Sequence, residues 1–464
     1  MRTLDANISV RMLVTHDHRC PNALDLIPEP GEDMAILTRA AKGLLGAASL
    51  ACLSAATLAT DERPPMQRVL LSGTLPVTLE SLAERQKTVG VTDFSDLRLN
   101  DSGHLFFRIK ASGASWEDEG REDAIVSFKQ GIMRPVASTF AKLPGTSYRP
   151  KHLRLEGTNN RGQVVLTESD EWPVGTLSSD NWGPGWVVSD GEPSPLKGPG
   201  DDIKNCINVT LNHRGDVAIL GSRRSGDIAI WSGMPEALET VAAMGDPAPG
   251  LDGVTFGNFA SIGLDGSGRV AFLAQLDGGS RTGELSLWIW DDGELRALLL
   301  QGGDAPGTNG AEFRGFDSEF SINSEGEVVI LAALKPGTAG VNDANSLGIW
   351  RVRDRAEHEL VVRSGTTAHG SSGATFLGFG IPVITDEGHV IFTGVLQPNN
   401  EIIQGENIGI WSTASGPPRL VIREGAVLPN KESDRFDMES RYWRDRLTVN
   451  AAGDVAYITP KASG

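Results

Sequence analysis

The sequence predicts an all-β fold, a seven-bladed β-propeller whose composite last blade is closed by an N-terminal strand. Three observations predict it: a turn phrase that recurs along the chain, a Trp-bearing strand that recurs with it, and terminal segments that complete one another. The turn phrase places Asn or Asp, two further residues and Gly between two apolar runs. It reads Asn100-Asp101-Ser102-Gly103, Asn159-Asn160-Arg161-Gly162 (with Leu155 onward, an expanded version), Asn212-His213-Arg214-Gly215, Asp265-Gly266-Ser267-Gly268, Asn323-Ser324-Glu325-Gly326, Asp386-Glu387-Gly388 (the turn starting one residue late) and Asn450-Ala451-Ala452-Gly453. Self-similarity at roughly 50 to 65 residues marks an array of supersecondary units, and strand-type units of that length are propeller blades.

The blade is clearest from Ser261 to Gly307. Four β-rich runs, Ser261–Asp265, Arg269–Leu276, Leu287–Trp290 and Leu295–Leu300, are separated by turn clusters, the pattern of an antiparallel meander. The third run repeats as Ile228-Ala229-Ile230-Trp231, Leu347-Gly348-Ile349-Trp350 and Ile408-Gly409-Ile410-Trp411, and paired aromatics lead into the next unit at Phe256 and Phe259, Phe313 and Phe316, Phe376 and Phe379. After Asn450 only the strand Asp454–Thr459 fits, while Arg68–Pro76 copies the fourth-strand phrase Leu420–Pro429. An N-terminal strand that completes the C-terminal blade would remove both open edges. Six blades is the alternative count.

The N-terminal region reads as processing rather than fold. Residues 1–33 read as a mis-called upstream extension, and 34–59 as a signal peptide: Arg39 and Lys42 precede an apolar, small-residue run from Gly43 to Ala59. A mature chain of residues 60–464 would be one propeller domain, exported to the periplasm or the exterior, with no membrane span and with Cys206 as its one thiol. That leaves no intramolecular disulfide. Gly at 55 residues, Pro at 25 and charged residues at 22% describe a turn-rich globular chain. The net charge of -18 excludes nucleic acid as the main partner, which would need clustered Lys and Arg.

The phrases Ile-Asn-x-x-Gly-x-Val, Gly-Ile-Trp and Gly-Asp-x-x-Pro-Gly, with Pro336–Val341 running into Gly348-Ile349-Trp350, resemble the tandem repeats of a family of exported bacterial proteins of unknown function, many joined to surface-sorting anchors. The resemblance spans residues 93–460 and is most faithful between Cys206 and Pro429. It implies a propeller-like fold and export, and supplies no catalytic residues.

Candidate site residues come from the places where the repeat breaks, because local rules are violated at functional sites. In the second unit the Gly-Ile-Trp strand is missing and Glu168, Asp170, Glu171, Trp172, Asp180 and Trp182 stand in its place, while the first unit carries an insertion with Trp116. The segments leading into the second and last blades replace the Phe pair with Tyr148, Arg149 and His152, and with Arg441, Tyr442, Trp443 and Arg444. Flat aromatics stack on sugar rings, Arg forks bind carboxylates and carboxylates accept hydroxyl hydrogen bonds. The ligand set is therefore Trp116, Trp172, Trp182, Trp443, Arg444, Glu168 and Asp170. If the chain is an enzyme, uronate β-elimination would use Arg149 or Arg441 against the carboxylate and Tyr148, Tyr442 or His152 as base and acid; glycoside hydrolysis would use an opposed carboxylate pair. The turn Asn and Asp residues and the blade Trp residues read as structural. No metal or cofactor is predicted. The expected role is a binding or scaffolding module for a polysaccharide, with a polysaccharide-degrading enzyme and a platform for a surface protein as alternatives.

Overall fold

The computed structural model describes residues 8–13, 50–51, 66–69, 90–100, 102–112, 122–129, 132–139, 142–143, 149–150, 153–169, 182–189, 192–195, 203–337, 339–399, 401–402, 406–427, 436, 447–449 and 455–460. They fall into two compact units, Met1–Leu153 with Gly425–Gly464, and Arg154–Glu424. The first unit begins with β1 (Ile8–Leu13), β2 (Leu50–Ala51) and β3 (Met66–Val69). A four-stranded antiparallel sheet follows, made of β4 (Gly90–Leu99), β5 (Leu105–Ser112), β6 (Glu122–Lys129) and β7 (Ile132–Ser138).

The second unit is a run of antiparallel meanders. Blade 1 is β8 (Leu153–Thr158), β9 (Val164–Ser169), β10 (Trp182–Ser189) and β11 (Glu192–Pro195). Blade 2 is β12 (Ile203–Leu211), β13 (Val217–Arg223), β14 (Ile228–Met234) and β15 (Ala237–Ala243). Blade 3 is β16 (Thr255–Leu264), β17 (Val270–Asp277), β18 (Leu285–Asp291) and β19 (Glu294–Leu300). Blade 4 is β20 (Phe313–Ile322), β21 (Val328–Leu334), β22 (Leu347–Val352) and β23 (Glu359–Arg363). Blade 5 splits its first strand into β24 (Phe376–Phe379) and β25 (Val383–Ile384), both paired to β26 (Val390–Leu396), and continues through β27 (Ile408–Ser412) to β28 (Arg419–Arg423). The chain then adds β29 (Leu447–Val449) and β30 (Val455–Pro460) to the first unit, in a sheet of order β2-β3-β1-β30-β29.

The fold is an all-β propeller, but among the described residues its blades number five, in Arg154–Glu424, and not the seven or six expected. Counting one blade per turn phrase fails because the phrases at Asn100 and Asn450 belong to the other unit. The expected closing segment Arg68–Pro76 is described only as far as Val69: β3 shares a sheet with the last strands, but β1 lies between β3 and β30, with Val10 opposite both Val69 and Ile458.

Period-2 alternation gives every blade two apolar faces, and neighbours cover each other's. On β17, Val270, Phe272 and Ala274 join Ala218, Leu220 and Ile230 of blade 2, whereas Ala271 and Leu273 join Phe313, Phe316 and Trp350 of blade 4. The same joint recurs between Ile349 and Val362 of blade 4 and Phe376, Phe392 and Trp411 of blade 5. Within a blade the leading Phe meets the Trp edge to face, at 5.1 Å for Phe256–Trp288 and 5.0 Å for both Phe313–Trp350 and Phe376–Trp411. Trp231, Trp288, Trp350 and Trp411 are fully buried, as expected of structural residues. The Trp strand of blade 1 is present after all: Trp186 pairs with Leu166 just as Trp288 pairs with Phe272, so the departure there is the loop between β9 and β10 rather than a lost strand.

Two hydrogen-bonded devices set the register. The first is a clasp between consecutive blades: the N–H of Gly245 donates to Phe256 O (2.8 Å) and that of Phe256 to Asp246 O (2.9 Å), with Gly302 and Phe313, then Gly365 and Phe376, repeating it. Gly425 and Phe436 make it again at 2.9 Å, so Phe436, not the segment Glu439–Arg446, occupies the leading aromatic position of the last repeat. The second device is the turn. Asn212 Oδ1 accepts from the N–H groups of Arg214, Gly215 and Asp216, while its Nδ2 donates to Asp265 O of the next blade at 3.1 Å. Asn159 donates likewise to Asn212 O (3.0 Å), so its turn is regular rather than expanded, and Asn323 to Thr385 O (3.1 Å). Thr385 thus holds the turn position in blade 5, and Asp386 instead accepts from Ser324 N–H across the joint.

Asp265 has no amide to donate, and Arg side chains take over. Arg214 donates to Ser267 O in the next blade, and Arg269, held by Asp265 at 2.6 Å, lies over Gly326, where a Cβ would collide with its guanidinium. Gly326 also has a φ of +77°, which Gly adopts freely. Truncating the buried Asn212 to Ala removes the turn acceptor and the bridge to blade 3 together. A loss of about 2–3 kcal/mol is expected in denaturant unfolding. The indole N–H groups give a second test. Trp288 Nε1 donates to Ser286 Oγ at 2.8 Å, whereas the buried Trp231 Nε1 has no hydrogen-bond partner among the described residues and Ala229 stands at the position of Ser286. Ala229→Ser should supply that acceptor and raise stability by about 1 kcal/mol, read as a higher unfolding midpoint.

Candidate functional site

The first strand of each blade packs against the first strand of the next, from β12 to β16, β20 and β25. The approach is close: a Cβ on Gly263 would lie 2.8 Å from Ile322 Cγ2 and 2.9 Å from Phe320 Cε2. These strands form the inner rim of the unit, and each is broken by β-bulges at matching places. In β12 the register slips between Ile203 and Asn205, in β16 between Phe256 and Asn258, in β20 between Phe313 and Gly315, and in β24 between Phe376 and Gly378. The residues squeezed out are Lys204, Gly257, Arg314 and Leu377, one per blade on four consecutive blades. A bulge re-aims the extra residue away from the ladder, which is why bulges recur beside binding sites.

Three of these four are exposed, Leu377 at 49%. Gly257 carries no side chain, and the exposed Asn258 beside it bends its Oδ1 back to accept from Phe259 N–H at 2.8 Å. Neither Lys204 nor Arg314 makes a hydrogen bond or ion pair among the described residues, although in the same unit Arg214, Arg269, Arg281, Arg296, Arg351, Arg353 and Arg355 are all paired with carboxylates. A second bulge follows in β12, β16 and β20, and at the corresponding place in blade 5 the strand breaks into β24 and β25. In blade 4 it is longer, spanning Phe316 to Phe320, and carries Asp317 and the exposed Ser318 and Glu319. Chemically the rim offers two uncommitted cations, a carboxylate-bearing bulge and one exposed apolar side chain, all on a rigid, hydrogen-bonded frame. Among the described residues no group of three His, Cys, Asp or Glu side chains is placed to hold a metal ion.

The residues expected from sequence fare differently. Trp116, Tyr148, His152, Asp170, Glu171, Trp172, Asp180, Arg441, Tyr442, Trp443 and Arg444 lie outside the described residues. Glu168 and Trp182 are brought to neighbouring places on paired strands at the loop end of blade 1, since Ser169 pairs with Trp182. Arg149 is exposed, and its Nε donates to Thr139 O at 2.8 Å. Thr139 Oγ1 in turn accepts from Asp123 N–H at 3.0 Å, so Arg149 is tied to the β4–β7 sheet.

That sheet holds a polar cluster of its own. Arg108 Nε lies 2.9 Å from Asp96 Oδ2 and 3.0 Å from Ser95 Oγ, and Nη1 lies 3.8 Å from the buried Asp123 Oδ2, which also accepts from Leu153 N–H at 3.4 Å. Asp96 sits at a φ of +52° in the bulge that permits this arrangement. Arg108 occupies the strand position that Leu273 fills in blade 3, so an ion pair stands where the repeat has a hydrocarbon contact. Through Asp123 the cluster holds Leu153 beside β6.

Beside the same sheet's turn, His104 stacks on Phe106 with ring centroids 4.2 Å apart. Burial, with the positive charges of Lys129 and Arg134 nearby, lowers its pKa from 6.5 to about 4. The folded chain therefore refuses a proton that the unfolded chain accepts below about pH 6.5, so stability falls as pH drops from there toward 4. His104→Gln should flatten the fall in melting temperature between pH 6.5 and 5, measured on both proteins at matched ionic strength.

Lys204 and Arg314 escaped the reading of the sequence. Arg314 was visible inside the Phe313–Phe316 pair, but Lys204 was hidden because Ile203 and Cys206 replace both Phe residues.

A family of unknown function, DUF7453, matches residues 72–350 and again 320–461, and the chain belongs to it. No curated protein sequence matches. Among solved structures, the β-propeller domain of the Trilobed protease from Pyrococcus furiosus is similar at 14% identity and a TM-score of 0.42, over 69% of this chain and 82% of that one. An acylaminoacyl peptidase from Pyrococcus horikoshii is similar at 13% identity and a TM-score of 0.41, over 77% of this chain and 50% of that one. A puromycin-hydrolyzing peptidase from Mycobacterium tuberculosis is similar at 11% identity and a TM-score of 0.38, over 81% and 50%. The chain thus spans about half the length of each peptidase.

Proposed function

We propose that this member of a family of unknown function is a propeller-type binding or scaffolding module, exported from the cytoplasm, whose ligand is a polysaccharide. One observation carries the reading: the aligned bulges of β12, β16, β20 and β24 present polar, cationic and apolar side chains side by side on the inner rim of a rigid unit. A sugar polymer asks for that mixture, with hydrogen-bonding groups for its hydroxyls and an apolar surface for its C–H faces. The Trp-bearing segments that break the repeat around Trp172 and Trp182 add flat surfaces suited to ring stacking. Export is supported by the sequence of residues 34–59.

The test is retention of the full chain on immobilised polysaccharides, neutral and acidic. Retention on at least one polymer is expected, and Leu377→Asp should weaken it about tenfold by replacing an apolar contact with a charge, while the melting temperature stays within a degree or two. Retention on none of them, alongside recovery of a defined protein partner, would replace the polysaccharide by a protein ligand.

A further inference from the structure

We infer that the rim of Arg154–Glu424 recognises a polyanion, so that the polysaccharide carries carboxylate groups and Lys204 and Arg314 are the residues that read them. This deepens the reading above and rests on it. The chain has a net charge of -18, and in this unit most arginines are neutralised by neighbouring Asp and Glu. Lys204 and Arg314, by contrast with those arginines, have no ion pair among the described residues and stand on the rim. Both occupy the same place in the repeat, the residue extruded between the leading Phe or Ile and the next paired residue. They are separated by one blade, and because facing sheets pack about 10 Å apart, they stand within about 20 Å of one another.

What lies between them favours an extended ligand. The equivalent residue of the intervening blade is Gly257, so the bulge there adds no side chain of its own, and Asn258 is exposed next to it. Beyond Arg314, Leu377 supplies an apolar surface at the same level. A linear polymer crossing these blades would meet a cation, a polar stretch, a second cation and an apolar patch in that order. Arg takes a carboxylate with two parallel N–H donors, and Lys takes one as a point charge. The bulge with Asp317 and Glu319 follows Arg314 along the same strand.

The experiment compares binding of the full chain to a panel of polyuronates, to their methyl esters, and to neutral glucans and mannans. Binding to a polyuronate at least tenfold tighter than to its methyl ester, weakening as salt rises from 50 to 500 mM, is expected. It should be lost by at least tenfold in the double variant Lys204→Gln with Arg314→Gln, and largely kept in Lys204→Arg with Arg314→Lys. The melting temperature of each variant controls for folding, and both residues are exposed enough to leave it unchanged. Equal binding of acid and ester forms, untouched by the double variant, would overturn the inference and leave the polysaccharide reading in place. Acid-selective binding that ignores the double variant would overturn the assignment to this rim. Binding to no polymer would overturn the polysaccharide reading and this inference with it.

Discussion

A four-stranded sheet with hydrocarbon on both faces is not stable alone, and the structure of Arg154–Glu424 follows from that constraint. Blades 3 and 4 each present an aromatic face, built from the leading Phe and the Trp, and an aliphatic face of small and branched residues; blade 5 repeats the aromatic face, and in blade 2 Ile203 takes the place of the Phe beside Trp231. The aromatic face of one blade closes on the aliphatic face of the blade before it. Everything else refines this joint. The clasp between Gly245 and Phe256 delivers the leading Phe to its Trp, and the Asn212 side chain ties one turn to the next so that the two faces meet in register.

The same constraint explains where the rim residues can vary. Side chains on the two blade faces are committed to packing, and the turn residues to the bridges. A bulge residue is committed to neither, because it leaves the ladder and points away from both faces. Lys204, Gly257, Arg314 and Leu377 share one backbone environment and have four different chemistries. That is how a repetitive scaffold acquires a ligand site without disturbing its joints.

Much of this was legible in the sequence. The turn phrase, the Trp strand and the Phe pair announce themselves because each depends on local chemistry: an Asn that caps its own turn, a Gly at positive φ, aromatics at fixed spacing. The blade count was not legible, because it depends on which sheets associate, and Asn100 and Asn450 carry the same local phrase in a different unit. Trp186 was hidden by a strand reading Trp-Gly-Pro-Gly-Trp, and Phe436 by a longer connection to its turn at Asn450. Thr385 does the work of Asn with a hydroxyl, which a search for amides and carboxylates passes over. Lys204 was hidden most deeply, since a bulge breaks the alternation by which a strand is recognised, and here the flanking aromatics are absent too.

Among the described residues, the hydrogen bonds that link the Asn, Asp and Thr turns of consecutive blades run one way. Asn159 reaches to Asn212, Asn212 to Asp265, Arg214 to Ser267 and Asn323 to Thr385, each time from a blade to its successor. Such contacts are heterologous: donor and acceptor surfaces differ, and nothing in them limits how many copies can be stacked. A blade cut from its neighbours would carry one surface of each kind and would polymerise head to tail. The quantum by which such a gene can grow or shrink is accordingly one whole blade, because only that length returns the chain to the surface it left.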